Sequence, residues 1–481
     1  MKAFKIIPII LLPLFLFFVS CSLEEPDLKK TPTSTGSQDF SKYVAIGNSL
    51  SAGYQSGSLV VEHQKFSFPN LIAQQLGIED FEQPTVSWPG IPNIMTLESV
   101  TGVLGTASGT GAPTNATLAR PYDNLGIPGI VLADVLVATN VATSYSGSAA
   151  IPLVLRDQGT TAMEQALSLN PTLISCWIGN NDVLGYATSG GTSPAAPTDV
   201  PTFTALYTQL AAALDRSVTK VIVANIPDVT SVPFFTTIGP RVAAGVAGAK
   251  AQNPAIVGLY YQKHGKIVAN PQQDFTNFDE AVPPLITLVG GTYASLLGQP
   301  TGKWYRDLAA KLGYSVEMIM AANPGIDTTQ AFGFHPQNPW PDALVLDADE
   351  IDVAQTAITS FNSVIAQAVS SHGFALFDAN AFLADVAVNG YDPGEGLPML
   401  TADYISGGLF SLDGVHPTNI GYAVVANKMI DVLNEKFDTD IQKVNLLNIS
   451  GNSPVASSVK ISDLDLKMMS GTVELMGGQI R

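Results

Sequence analysis

The chain of 481 residues contains only two cysteines, Cys21 and Cys176, and only five histidines. Two isolated cysteines exclude a disulfide framework and any thiolate-rich metal site. Cys176 lies inside the apolar run Leu173-Ile174-Ser175-Cys176-Trp177-Ile178 and reads as a buried small hydrophobe rather than a reactive thiol. Charge is scarce as well: 13% of residues are charged against 46% hydrophobic, which excludes extended disorder and leaves material for a large core. Basic residues are the rarer sign, 23 Lys and Arg against 41 Asp and Glu, for a net charge of −18. No basic cluster offsets that balance, so a nucleic acid partner is excluded.

What is present begins with a leader. Lys2 and Lys5 precede an apolar stretch over 6–19, and Ser20 stands before Cys21. A basic start, a short apolar stretch and a small residue are the pattern of a secretory signal peptide, and the stretch is short for a spanning helix. Phe18-Val19-Ser20-Cys21 resembles a bacterial lipoprotein signal, with Phe18 standing where leucine is usual. That resemblance implies a signal peptide over 1–20, a lipid on Cys21 and a cell-envelope location, at the outer membrane of a Gram-negative bacterium. Ser, Thr, Pro and acidic residues dominate the next segment, so 21–40 reads as a flexible tether. Its Glu24-Glu25 pair resembles the surface-export signals of some such lipoproteins, and is equally what a solvated linker carries.

The folded part alternates strand and helix signals. Val44-Ala45-Ile46 ends at Gly47 as a buried strand entering a sharp turn. Ser67-Phe68-Pro69 opens a helix that Gly77 stops, because serine caps free N–H groups and proline suits the first turn. Buried strands are expected over 172–178, 218–226 and 374–377, with helices over 206–214, 353–369 and 420–433. This alternation predicts an α/β fold with a parallel sheet covered on both faces. Between Pro227 and Leu346 the rhythm breaks for roughly 110 residues, far beyond a usual connection of about 4–6. An insertion over 228–346 is expected, either as a lid above the carboxyl edge of the sheet or as an elaboration remote from it. It carries a Gly- and Ala-rich stretch over 242–249 and a helix over 304–312. Within it, 307–326 resembles the second half of a LysM glycan-binding repeat, a half-match that carries no assignment. Residues 437–481 read as a terminal appendage, with strands over 444–449 and 473–480.

The chemistry is spread along this frame. Metal-free ester hydrolysis needs an activated nucleophile, a base, a group to orient the base, and donors for the oxyanion. Ser49 in Gly47-Asn48-Ser49-Leu50 follows the first strand directly. Asp413-Gly414-Val415-His416-Pro417 puts a carboxylate three residues before an imidazole, so that one ring nitrogen can be held and the other serve as base. His63, His264, His335 and His372 lack such a neighbour and read as surface or structural residues. Asn124-Leu125-Gly126-Ile127-Pro128-Gly129 reads as a glycine-rich turn ahead of a helix, where a backbone N–H can face an anion. Gly179-Asn180-Asn181-Asp182 places an amide side chain at another strand's end.

In chain order these four segments resemble the four blocks of SGNH (GDSL-like) hydrolases, over about 43–435. The resemblance implies a three-layer α/β/α sandwich with a flavodoxin-like sheet, forming an SGNH domain over 41–436. It implies Ser49 as nucleophile, His416 as base and Asp413 as its support. The Ser49 N–H, the Gly129 N–H and the Asn181 side chain would be the oxyanion donors, with Gly126 as the alternative to Gly129. Asn48 departs from the family, where aspartate is usual. No metal or organic cofactor is implied. The expected partner is an ester substrate, either an acylated lipid or an acetylated glycan, and an apolar cleft at Ser49 would favour the former. A non-catalytic surface lipoprotein that binds glycan or lipid is the alternative.

Overall fold

The computed structural model describes residues 33–98, 104–156, 158–192, 197–263, 266–269, 284–394 and 396–449. The leader, Cys21 and Glu24-Glu25 lie outside the described residues, as do His264 and the strand expected over 473–480. Five strands form the central sheet: β1 (Tyr43–Gly47), β2 (Asn124–Gly126), β3 (Leu173–Trp177), β4 (Lys220–Ala224) and β5 (Ala375–Phe377). They are all parallel and lie side by side in the order β2-β1-β3-β4-β5. That is the flavodoxin-like order, in which the strand sequence reverses between β1 and β3 and leaves a crevice at their carboxyl ends.

The strands are apolar on both faces because both faces are covered. Val44, Ile46, Ile174, Cys176, Val221 and Val223 point into one core, while Tyr43, Ala45, Leu173, Trp177, Ile222 and Ala224 point into the other. This is the two-residue alternation of a strand, hidden in the sequence because neither set meets water. Cys176 is enclosed, and burial pushes its thiol up to about 12.

The helices that place the site are α1 (Ser49–Ala52), α2 (Phe68–Gln75), α3 (Leu132–Val137), α4 (Asn181–Thr188), α5 (Val200–Leu214), α6 (Pro233–Thr236), α7 (Gly239–Gln252), α8 (Lys303–Leu312), α9 (Val316–Ala322), α10 (Ala348–His372), α11 (Ala379–Asn389) and α12 (Asn419–Phe437). α5 and α10 pack together on one side of the sheet, and α2 and α12 on the other. Their ends follow local chemistry. Ser67 accepts from Asn70 N–H at the start of α2. Asp347 and Glu350 exchange backbone hydrogen bonds as a capping box on α10, and Gly373 ends it with φ at 68°.

Three expectations change. Asn124 to Gly126 is not a turn but the edge strand β2, paired with Ala45 to Gly47. Three residues are too few for a periodic signal. The strand expected over 444–449 is instead a single 3-10 turn, Leu446–Asn448. There the Asn427 side chain holds both the N–H and the carbonyl of Val444, at 2.7 and 2.9 Å, and Ile441, Val444 and Leu446 are buried in the core. At the other terminus, the last part of the expected tether is anchored: Ser34 pairs with Asp440, and Phe40 packs edge-on against Phe437 at 6.0 Å.

The insertion lies between β4 and α10 and is built in two manners. Val232, Phe234, Phe235 and Trp340 join the main core. α8 and α9 instead surround a small core of their own, made of Tyr305, Ala309 and Ile319. Among the described residues no helix is long and apolar enough to cross a membrane.

The contact between α5 and α10 centres on Phe203 and Phe361, whose rings stack 3.9 Å apart at 10° and are fully buried. Truncating one leaves a void that flanking side chains cannot fill. Phe361→Ala is expected to lower the unfolding free energy by about 3–5 kcal/mol, read from urea denaturation. A loss below about 1 kcal/mol would contradict this packing.

Candidate active site

β1 and β3 run in register, with Gly47 opposite Trp177. A side chain at Gly47 would collide with the Ser51 hydroxyl and with the Trp177 carbonyl oxygen, so only glycine allows the turn this close to β3. Asn48 then caps the single turn of α1: its Oδ1 accepts from Leu50 N–H at 3.0 Å. Ser49 is the first residue of that turn and lies at the reversal point of the sheet.

The carboxyl-terminal loop brings the other two groups to it. His416 Nε2 lies 2.8 Å from Ser49 Oγ, and His416 Nδ1 lies 3.0 Å from Asp413 Oδ2. An ionised carboxylate only accepts, so Nδ1 carries the proton and Nε2 is free to accept from the serine hydroxyl. Asp413 is completely buried. Its Oδ1 accepts from Val415 and His416 N–H, and its Oδ2 also accepts from Gly57 N–H at 2.9 Å. Burial pushes this carboxyl up. The charge attraction of His416 and the hydrogen bonds from its ring, its N–H and Val415 N–H outweigh burial and hold the group below its ordinary value. The Tyr54 ring packs on the imidazole at 4.8 Å and 59°. This relay can take the serine proton as the oxygen attacks an electrophilic carbon.

The N–H groups around Ser49 divide into used and free. Gly126 N–H donates to Asn124 Oδ1 at 3.0 Å, which removes it as an anion donor. Gly129 adopts φ of 81°, and among the described residues its N–H meets no acceptor. The Ser49 N–H, at the first position of a helix, also has none. Asn181 Nδ2 donates one hydrogen to Ile130 O at 2.8 Å, and its second hydrogen is uncommitted. Leu132 N–H in turn donates to Asp182 Oδ2 at 2.8 Å. Two hydrogen bonds therefore tie the loop after Gly129 to the start of α4, fixing the Gly129 and Asn181 donors relative to one another.

Asn48 Nδ2 donates to Asn180 Oδ1 at 3.0 Å, a bond an ionised aspartate could not donate. The remaining described histidines are structural. His63 Nδ1 lies 2.8 Å from Asn419 Oδ1, His372 Nδ1 lies 2.8 Å from Asp215, and His335 accepts from Gln337 N–H. Among the described residues, no group of three or more His, Cys, Asp or Glu side chains could hold a metal ion.

Sequence reasoning did not find Gly57 or Tyr54, and it gave Asp182 no role of its own. Gly57 and Tyr54 reach the Asp413 loop across more than 350 positions, and no local pattern marks them. It also could not see the walls of the cleft, an apolar space of about 860 Å³ including its open mouth that begins at Ser49, Asn181 and His416. The insertion contributes Val229 and Val232 to that wall, and Phe234 N–H donates to Gly414 O behind the His416 loop.

Residues 43–282 match the family model described as GDSL-like Lipase/Acylhydrolase. The match supports the SGNH hydrolase family and the ester-hydrolase reaction class that it implies. It takes in Ser49, Gly129 and Asn181 and ends ahead of Asp413 and His416. No curated protein matches the chain.

Asp182 supplies a pH test of the donor loop. Burial pushes its carboxyl up to about 7, with Asp134 adding to the rise, while the Leu132 N–H and Thr198 hydroxyl oppose it. The folded chain therefore binds more protons here than the unfolded chain between about pH 4 and 7. The stability that protonated Asp182 contributes is intact below that window and is lost as pH rises through 7. Asp182→Asn keeps the shape without the charge. Its stability relative to the parent is expected to improve from pH 5 to pH 8, by up to about 1.4 kcal/mol per pH unit within the window, read from thermal melts. A difference that does not change with pH would count against a buried charge at this position.

Proposed function

We propose that the chain, through its GDSL-like acylhydrolase domain, hydrolyses carboxylic esters at the cell envelope by way of an acyl-enzyme on Ser49. The observation that carries this reading is the unbroken relay from Ser49 Oγ to His416 Nε2 and from His416 Nδ1 to Asp413 Oδ2, at 2.8 and 3.0 Å. Ser49 Oγ attacks the acyl carbon and its proton passes to His416 Nε2. Asp413 stabilises the resulting imidazolium and keeps its proton-bearing face fixed. The Ser49 and Gly129 N–H groups and the free Asn181 hydrogen receive the oxyanion. As the carbon–oxygen bond to the alcohol breaks, His416 returns the proton to the leaving oxygen. Water then attacks the acyl carbon, gives a proton to Nε2, and the acid departs as Ser49 regains its hydrogen.

Ser49→Ala is expected to reduce turnover of 4-nitrophenyl acetate by about 10⁴-fold or more, with an unchanged circular dichroism spectrum. The parent should be labelled at Ser49 by a fluorophosphonate and the variant should not. Retained activity in Ser49→Ala would remove Ser49 as nucleophile.

The envelope part of the reading is supported by the leader pattern of Lys2, Lys5, 6–19 and Cys21. The lipid tether would run from Cys21 to the anchored segment that begins near Thr33. Expressed in full in a bacterium that processes lipoproteins, the chain should incorporate an alkyne-tagged palmitate and sediment with membranes. Cys21→Ala should do neither, and palmitate in that variant would place the lipid elsewhere.

A further inference from the structure

We infer that the ester's acyl half is an unbranched hydrocarbon chain, held in the cleft between the start of the insertion and α11. This inference rests on the ester-hydrolase reading above and adds the substrate class to it. Among the described residues, every wall beyond the catalytic edge is apolar. Leu184, Val232, Phe382, Leu383, Val386 and Val425 line the cleft there. The hydrogen-bonding side chains in the lining are Asn48, Ser49, Asn180, Asn181 and His416, which are bonded at the catalytic edge, and Trp177, whose indole N–H is spent on Asn225 O. An acetylated sugar seated in such a cleft would surrender its water without gaining partners. Methylene groups lose nothing by the transfer and gain from it.

The wall from α11 is a fixed surface. Phe382 and Val386 are one helical turn apart and share a face with Leu383. The amino end of α11 is held by Asn225 Nδ2 donating to Asp378 Oδ1 at 2.7 Å, by Asn380 N–H donating to Asn225 Oδ1 at 2.9 Å, and by Asn380 Nδ2 donating to Ile226 O at 3.0 Å. Trp177 Nε1 donates to Asn225 O, so the same clasp is tied to the end of β3. The acyl half is the part that stays on Ser49 through the covalent stage, whereas the alcohol must leave to solvent. A walled apolar cleft therefore suits the acyl chain rather than the alcohol.

The test uses the full chain and 4-nitrophenyl esters of acetate, butanoate, octanoate and dodecanoate, with acetates of ethanol, butanol and octanol as a second series. Each buried methylene is worth about fourfold, so kcat/KM should rise by well over tenfold from acetate to octanoate, and less along the alcohol series. Leu383→Trp fills the cleft from a half-buried position and should lower the octanoate-to-acetate ratio at least tenfold. Leu383→Phe replaces it if the tryptophan variant no longer labels with fluorophosphonate. A flat or falling profile in a parent that labels at Ser49 overturns the acyl assignment alone, as does an unchanged ratio in a labelled variant or a steeper gain along the alcohol series. A parent that neither labels nor hydrolyses any ester overturns the hydrolase reading together with it.

Discussion

The close approach of β1 to β3 at Gly47 is the constraint on which the rest of the site depends. With no side chain at Gly47, the first turn of α1 sits against the end of β3, and Asn48 N–H reaches the Trp177 carbonyl at 3.3 Å. The turns that leave the two strands then line a common crevice: Ser49 from β1 and Asn180-Asn181 from β3. The side-chain bond from Asn48 to Asn180 joins the two turns directly. A parallel sheet whose strand order reverses at this point leaves the space in which a substrate can enter.

The carboxyl-terminal loop completes the site by burying a charge. Asp413 has no access to solvent, so its ionised form depends on the hydrogen bonds and the imidazole around it. Two of its donors come from its own loop, and a third, Gly57 N–H, comes from the segment that follows Ser49. Ser56 and Ser411 add a reciprocal pair of bonds between the same segments: Ser56 N–H donates to Ser411 Oγ, and Leu412 N–H to Ser56 Oγ. The nucleophile's loop and the base's loop are thus held by one polar seam, which fixes the imidazole against Ser49 Oγ. Three buried tyrosines stand around it, Tyr54, Tyr404 and Tyr422, and burial together with the Asp413 charge keeps each phenol neutral.

The cleft beside this seam has a different origin. It is walled by Leu184 on α4, by α11 and α12, and by the first residues of the insertion. Apart from the Trp177 indole, its polar side chains belong to the catalytic edge, and the remaining lining is apolar.

The sequence by itself determined the alternation of strands and helices, the insertion and the candidates Ser49, Asp413 and His416, while Asn181 and the choice between Gly129 and Gly126 came from the family resemblance. These are legible because each depends on a local pattern: an apolar run, a glycine after a strand, or a carboxylate three residues before an imidazole. β2 looks like a turn in the sequence because three paired residues have no periodicity of their own. Gly126 and Gly129 could not be told apart as donors until the side chain of Asn124 was seen to occupy the Gly126 N–H. The tertiary structure alone decided that Gly57 holds Asp413, that Tyr54 packs on His416, and that Phe382, Leu383 and Val386 line the same cleft as Ser49. Those relations join segments hundreds of positions apart, and hydrogen bonding and apolar contact at that separation leave no mark on the order of residues along the chain.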